Sequence, residues 1–243
     1  MKYWSLSKVP YKQDTSPFLF FPGYRERLKR KGFFLKRSLK NKITVNILTI
    51  FPEQVKFYTE VGILNQAFKK NIVQYNIVDL RDFTEDKNRK VDDVPFGGGP
   101  GMVMMAPVIV KAIESLQSPG IKILLSPTGE VFNRETTAEL TGKDITLICG
   151  RYAGIDFRVN NFVDRIMSVG DFVVSGGELP ALIIAEAVVR LVPGVLGDDK
   201  SSEEDKGYPL YTRPRDFRGY TVPEILLSGN HKKINEWRTK KRT

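Results

Sequence analysis

Apolar and polar residues along most of the chain follow two alternating spacings, one typical of buried strands and one of helices. Short runs rich in Val, Ile and Leu predict strands, whereas apolar residues three or four positions apart predict helices. The predicted strands are residues 43–50, 72–80, 121–125 and 145–148, with a further apolar segment at 163–169. The predicted helices are residues 53–70, 106–117, 133–140, 155–163, 178–192 and 231–240.

This alternation predicts an α/β fold with a largely parallel sheet, because parallel neighbours are joined by helical crossovers. The 243 residues suffice for one large domain, or for one domain with a smaller appendage. We expect a domain at 43–197, a flexible acidic linker at 198–207 and a tail at 208–243. No apolar run of about 18 residues is free of charge, so we expect no membrane span.

The net charge of +10 is concentrated at the N-terminus. Residues 1–42 contain 12 Lys and Arg but 2 acids, whereas the other 201 residues contain 26 of each sign. We interpret 1–42 as a separate basic extension, either disordered or translated from an upstream start codon. An organellar transit peptide is a second interpretation, because the segment is nearly free of acids. A third is an arm that contacts RNA phosphates.

The chain has one cysteine and one histidine, which excludes a disulfide framework and a Cys/His zinc site. We predict no metal-ligating residues and a reduced, cytoplasmic setting. Three common fingerprints are missing: a G-x-G-x-x-G turn after the first strand, a P-loop and a G-x-S-x-G elbow. Their absence argues against dinucleotide-binding, P-loop and serine-hydrolase chemistry.

Three predicted strands end in loops that carry glycine or proline. We call residues 126–129 the first glycine loop, 150–154 the second and 170–178 the third. In open α/β sheets, ligands bind beyond the carboxyl ends of the strands. Glycine lets backbone groups approach a ligand closely, so these loops predict a crevice that could grip a nucleoside without charged side chains.

Several motifs follow one another along the chain. They are PFGGGPGM at 95–102, LSP at 125–127, CGRY at 149–152, SVGD at 168–171, SGGELP at 175–180, PGVLG at 193–197, YTRP at 211–214 and LSGNH at 227–231. Together they closely resemble the bacterial tRNA (guanine-N1)-methyltransferases that act on guanosine-37. The resemblance covers about residues 43–238, and by it the chain is a short form that lacks most of the C-terminal domain.

The resemblance implies a SPOUT-type α/β fold with a deep C-terminal trefoil knot. It also implies an obligate homodimer that transfers a methyl group from S-adenosylmethionine to guanine N1 of tRNA. The S-adenosylmethionine motif of the family corresponds here to Gly150, Val169, Gly170, Asp171, Phe172, Val173 and Val174. By the same resemblance the pocket is completed by Leu125, Ser126, Pro127, Tyr152, Gly154, Gly176, Gly177 and Pro180.

Arg190 matches the family arginine that stabilises the guanine C6 oxygen as N1 loses its proton. The alternative is an ion pair with Glu186, one helical turn earlier. At two positions the chain departs from the family. Ala153 replaces an acid of the magnesium-dependent site, and Gly207 replaces the catalytic aspartate. Mg²⁺ is thus a cofactor that the resemblance implies and that Ala153 argues against. Asp205 is the nearest carboxylate, either a substitute general base or a solvated linker charge.

These departures leave three functions open. The first is methylation of guanosine-37 in tRNA. The second is a degenerate homologue that binds S-adenosylmethionine or RNA without catalysis, which Ala153 and Gly207 favour. The third is a SPOUT methyltransferase with another RNA target.

Overall fold

A computed structural model describes residues 42–196 and 207–241. Five strands form the central sheet in the order β2-β1-β6-β5-β7, and all of its pairings are parallel. Their bounds are β1 Ile43–Thr49, β2 Val73–Asp79, β5 Ile121–Val131, β6 Ile145–Ile148 and β7 Arg165–Ser168. The predicted α/β fold with a largely parallel sheet is confirmed.

Seven helices accompany the strands within the described ranges. They are α1 Pro52–Thr59, α2 Gly62–Lys69, α3 Ala106–Glu114, α4 Arg134–Leu140, α5 Glu178–Val189, α6 Glu224–Leu227 and α7 His231–Lys240. Two 3-10 helices add Leu80–Phe83 and Phe157–Phe162. Two short ribbons pair β3 Asp92–Asp93 with β4 Val103–Met104, and β8 Asp216–Phe217 with β9 Tyr220–Thr221. In the parts of the chain that are described, the helices are too short or too polar to span a membrane.

The central strands β1 and β6 are buried on both faces, which is why they are mostly apolar, whereas the edge strand β2 contains polar residues and is partly exposed. All four residues of β6 are buried. On one face, Val45 and Ile47 of β1 pack with residues of α1, α2, α4 and α5. On the other face, Leu48 and Ile148 pack with α3. The molecule therefore has three layers with a core on each side of the sheet.

The prediction of one continuous helix at residues 53–70 is wrong, because this segment forms two helices, α1 and α2. Val61 is extended, and Gly62 adopts a left-handed conformation with φ of 58°. Glycine enters this region without a steric penalty, so the chain turns here and the second helix starts in a new direction.

The apolar helix α5 crosses the sheet from its carboxyl edge to its amino edge. It begins after Gly177, whose backbone N–H donates to the Gly150 carbonyl at the carboxyl end of β6. Beyond the far end of the helix, Lys70 donates to the carbonyls of Gly194 and Val195. Lys70 lies just before β2, so the end of α5 lies at the amino edge.

The predicted domain division concerns segments that are only partly described. Residues 1–41 and 197–206 lie outside the described residues, so the basic extension and the acidic linker remain predictions. Within residues 207–241, Tyr211 and Trp237 have ring centroids 6.4 Å apart, and the Arg238 guanidinium lies over the Tyr208 ring. The helix predicted at residues 231–240 is confirmed as α7.

Candidate active site

The second and third glycine loops follow β6 and β7, and the first lies within β5. In the sheet, β5 lies between β6 and β7, and all three run in the same direction. The carboxyl ends of these strands therefore meet at one edge of the sheet, as the sequence predicted. The loops come from segments up to 50 residues apart, and the parallel pairing brings them together.

The first glycine loop bulges out of β5 rather than ending it. Leu125 and Glu130 both pair with Met167 of β7, so residues 126–129 are inserted between them. Leu125 is buried, Pro127 is exposed, and the Ser126 and Thr128 hydroxyls lie 2.9 Å apart. A strand ending at residue 125 was therefore the wrong prediction, because the backbone resumes pairing with β7 beyond the bulge.

The second glycine loop is held by backbone hydrogen bonds to the end of the PFGGGPGM motif and to the residues just after it. The Ala153 N–H donates to the Met102 carbonyl, and the Met104 N–H donates to the Gly154 carbonyl. Tyr152 and Gly154 have φ of 59° and 136°. Tyr152 is half exposed, and a Cβ at Gly154 would meet open space. The loop therefore presents an aromatic ring and bare backbone.

The third glycine loop exposes a run of side chains beside this backbone. Val169 packs against the core and Gly170 bonds to the Ser168 hydroxyl. The residues that follow are all exposed: Asp171, Phe172, Val173 and Val174. A Cβ at Gly170 would lie 2.4 Å from the Phe172 ring.

The end of the third loop lies directly on the second. The Gly177 N–H donates to the Gly150 carbonyl at 2.8 Å. A Cβ at Gly177 would lie 2.7 Å from the Cys149 Cα, so only glycine permits this approach. Gly176 faces the Arg151 side chain, and Pro180 is buried in the first turn of α5. The predicted cofactor residues thus occupy one continuous region.

A buried ion pair lies under these loops, and the sequence analysis did not assign it a role. The Arg151 Nε donates to the Glu178 Oε2 at 2.8 Å, and the Thr49 hydroxyl donates to Oε1 at 2.7 Å. Only 3% of the Glu178 side chain is exposed. The available signal was a glutamate at the start of a helix that has one other charged residue, Glu186, because a buried carboxylate requires a partner.

Arg190 does not lie with the glycine loops of its own chain. It is the exposed residue that caps the C-terminal end of α5, at the amino edge of the sheet. A 12-residue helix spans about 18 Å. The ion pair with Glu186 is not formed among the described residues, and Glu186 instead accepts a hydrogen bond from the Tyr58 hydroxyl.

The remaining candidate residues lie outside the glycine loops. Asp205 is outside the described residues, and its role stays a prediction. His231 is the first residue of α7 and is exposed. Within residues 42–196 and 207–241, the His, Cys, Asp and Glu side chains form no group of three that could hold a metal ion.

Comparison with known proteins gives the family. A family model described as tRNA (Guanine-1)-methyltransferase TrmD matches residues 43–243. The tRNA (guanine-N(1)-)-methyltransferase of Dictyoglomus turgidum is 52% identical over 206 residues, covering 82% of this chain and 84% of that protein. The protein of the same description from Sulfurihydrogenibium sp. is 47% identical over 204 residues, covering 80% of each chain.

A solved structure agrees with these relatives. The crystal structure of tRNA (m1G37) methyltransferase from Aquifex aeolicus matches with a TM-score of 0.72 and 44% sequence identity, covering 83% of this chain and 90% of that chain. The chain belongs to the tRNA (guanine-1)-methyltransferase family. The resemblance read from its motifs is confirmed.

In this member of the family, Cys149 is not available as a nucleophile or base. It is fully buried at the end of β6. Burial raises the pKa of its thiol well above the usual value, and the nearby Glu178 carboxylate raises it further, although Arg151 opposes the shift. The thiolate is therefore scarce at neutral pH.

Cys149 is the single cysteine of the chain, which makes its burial directly measurable. We expect the native protein at pH 8 to react with an aromatic disulfide reagent at least about 100-fold more slowly than the denatured chain, because reaction requires local opening. Absorbance of the released thiolate gives both rates, and protein in guanidinium is the control. Equal rates in the two states would contradict the placement of Cys149.

Proposed function

We propose that this chain transfers a methyl group from S-adenosylmethionine to N1 of guanosine-37 in tRNA. Membership of the tRNA (guanine-1)-methyltransferase family carries this proposal. The convergence of three glycine loops at one edge of the sheet supports it, because a methyltransferase needs a site for a nucleoside-bearing cofactor.

The residues at this edge fit the proposed cofactor. S-adenosylmethionine carries an adenine ring, a ribose and an amino acid portion. Exposed rings and branched side chains at Tyr152, Phe172 and Val174 offer apolar surface to a base. Gly154 has no side chain and leaves open space beside the loop. When bound, the cofactor would supply an electrophilic methyl group.

The chain's own residues must deal with the proton and charge of the guanine. Methylation at N1 removes a proton and shifts negative charge onto the C6 oxygen. A guanidinium placed at that oxygen stabilises the charge as it develops, and Arg190 is the residue we propose for this role. The proton needs an acceptor near N1, for which we propose Asp205 because it is the carboxylate nearest to Gly207, which stands at the position of the family's aspartate.

The position of Arg190 supports a site built from two chains. A guanidinium at the amino edge of the sheet is about 18 Å from the glycine loops of its own chain. On α5, Leu179 is 62% exposed and Ile183 is 50% exposed, although all residues of the helix except Glu178 and Glu186 are apolar. We propose that a second copy of the chain covers this face in a symmetric homodimer and brings its Arg190 to the loops.

Three further features belong to this proposal. We propose the deep trefoil knot of the SPOUT fold, for which the similarity to the Aquifex aeolicus structure is the support. We propose tRNA as the partner and the cytoplasm as the setting, because relatives of this chain are described as tRNA methyltransferases.

The residues present do not fit the family's Mg²⁺ site. Ala153 has no side-chain oxygen, and its Cβ lies next to Gly101, where an added Cβ would be 3.0 Å away. Mg²⁺ requires oxygen ligands in near-octahedral geometry. No step of the proposed reaction is therefore assigned to a metal.

The proposed activity is tested by incubating the protein with labelled S-adenosylmethionine and an unmodified tRNA transcript. We expect label in N1-methylguanosine at position 37, and none in a transcript with adenosine there. Gly170→Val should lower incorporation strongly, because the added branched side chain would displace the Phe172 ring, 2.4 Å from a Cβ built there, and would enter the proposed cofactor pocket. Label in another nucleoside would favour a different RNA target, and cofactor binding without transfer would favour a degenerate homologue.

The composite site is tested by mixing two inactive variants. We expect Arg190→Ala to lower turnover by about 10²–10³-fold and Gly170→Val to lose cofactor binding. In a mixed dimer, one site would combine intact loops from one chain with Arg190 from the other. Refolding the two variants together should restore about a quarter of wild-type activity.

Lack of restoration, with mixed dimers verified by tandem affinity tags, would contradict the composite site. Light scattering of the wild-type chain is the control and should give about twice 27.6 kDa.

The role of Asp205 is tested by Asp205→Asn, with Glu203→Gln as the matched control on the same linker. Loss of a general base should lower the single-turnover rate by about 10²–10⁴-fold with little change in cofactor affinity. Glu203→Gln should leave the rate unchanged. Wild-type activity of Asp205→Asn would identify Asp205 as a solvated linker charge.

A further inference from the structure

The buried ion pair of Arg151 and Glu178 connects two of the glycine loops. Arg151 belongs to the second loop and follows β6 directly. Glu178 ends the third loop and begins α5. Besides its bond to Glu178, the Arg151 guanidinium lies 4.6 Å from the centre of the Phe51 ring and 3.5 Å from the Ser175 carbonyl. These contacts fix the arginine from both sides.

The neighbouring glycines are adapted to this arrangement. A Cβ at Gly176 would lie 2.1 Å from the Arg151 Nε, so the guanidinium occupies the space of that missing side chain. At Gly177 the two loops touch through their backbones. Moving Arg151 would therefore change the spacing between the second and third loops.

A gain in stability does not account for such a pair. Burying two charges carries a desolvation cost that their attraction often only offsets, and apolar residues of similar volume usually stabilise a fold as well. The rest of α5 is almost entirely apolar, so an apolar residue at position 178 would suit the packing. What an ion pair with three directed hydrogen bonds adds is a defined geometry.

We propose that Arg151 and Glu178 form a positioning pair, anchored by Thr49, that holds the second and third glycine loops at the spacing required to bind S-adenosylmethionine. The inference rests on the proposed function. Neither residue is assigned a contact with the cofactor. They act through the loops, so removing either partner should weaken binding even though the loop residues themselves are unchanged.

The experiment measures binding of two ligands to Glu178→Gln and Arg151→Gln by calorimetry. S-adenosylmethionine is a sulfonium cation, whereas S-adenosylhomocysteine has a neutral thioether in the same frame. We expect each variant to raise the Kd of both ligands by about tenfold, because each leaves a buried charge without its partner and frees the loops. The double variant should lose less binding free energy than the sum of the losses in the two single variants, because both single variants remove the same interaction.

The two ligands separate positioning from a charge effect. If the pair acted through its field, Glu178→Gln would weaken the cation alone and Arg151→Gln would strengthen it. The binding stoichiometry separates positioning from a structural role. A structural role would lower the stoichiometry and the thermal midpoint but leave the Kd of the folded fraction unchanged. Either pattern would overturn the positioning pair.

Glu85→Gln is the matched control, because Glu85 forms an exposed ion pair with Lys111, away from the glycine loops. We expect wild-type Kd values for both ligands in this variant. Failure of the wild-type chain to bind either ligand would overturn the proposed function together with the pair. Tight binding by the wild-type chain, with the same Kd values in Glu178→Gln and Arg151→Gln, would overturn the positioning role of the pair and leave the proposed function intact.

Discussion

The parallel hydrogen bonding of β6 to β1 and β5 is the constraint on which the rest of this structure depends. It orients three chain segments in one direction, so their carboxyl ends, and every loop that follows them, lie at one edge of the sheet. Because β6 is buried throughout, this pairing is shielded from water on both faces. The parallel pairing therefore sets the edge of the sheet at which the glycine loops lie, and the contacts between the loops set their spacing.

The same geometry separates the two halves of the proposed chemistry. A helix that follows a parallel strand must return across the sheet, and α5 does so with 12 residues. Its first turn lies with the glycine loops, and Arg190, which follows its last residue, lies at the opposite edge. A single chain cannot bring both ends of a rigid helix to one substrate. The proposed symmetric pairing of two chains would remove this difficulty and would also cover the exposed Leu179 and Ile183.

Strands and helices with a simple pattern of buried residues were predictable from the sequence. Elements that are interrupted or bent by local backbone conformation were less predictable. The strand at Ile145–Ile148 was predicted with its observed bounds because all four residues are buried and three of them are apolar. The helix predicted at residues 53–70 relied on Phe57, which is 72% exposed, and on Val61. Helical spacing of apolar residues does not reveal which of them reach the core. At residues 155–163 the predicted α-helix is wrong, and the structure has a 3-10 helix at Phe157–Phe162. A segment this short does not repeat its apolar residues often enough to distinguish the two kinds of helix.

In the candidate site, too, only features with a local sequence signal were predictable. Glycine loops after apolar strands are visible in the sequence, because glycine and strand ends are both local signals. The pairing of Arg151 with Glu178 is not local, since 27 residues separate the two partners and the loop conformations decide whether they meet. A lone carboxylate at the start of a buried helix is nonetheless a local signal that a cation must lie within reach. In an α/β sheet, the residues close enough to provide it are those directly after the neighbouring strands, and of the five residues after β6 only Arg151 is charged.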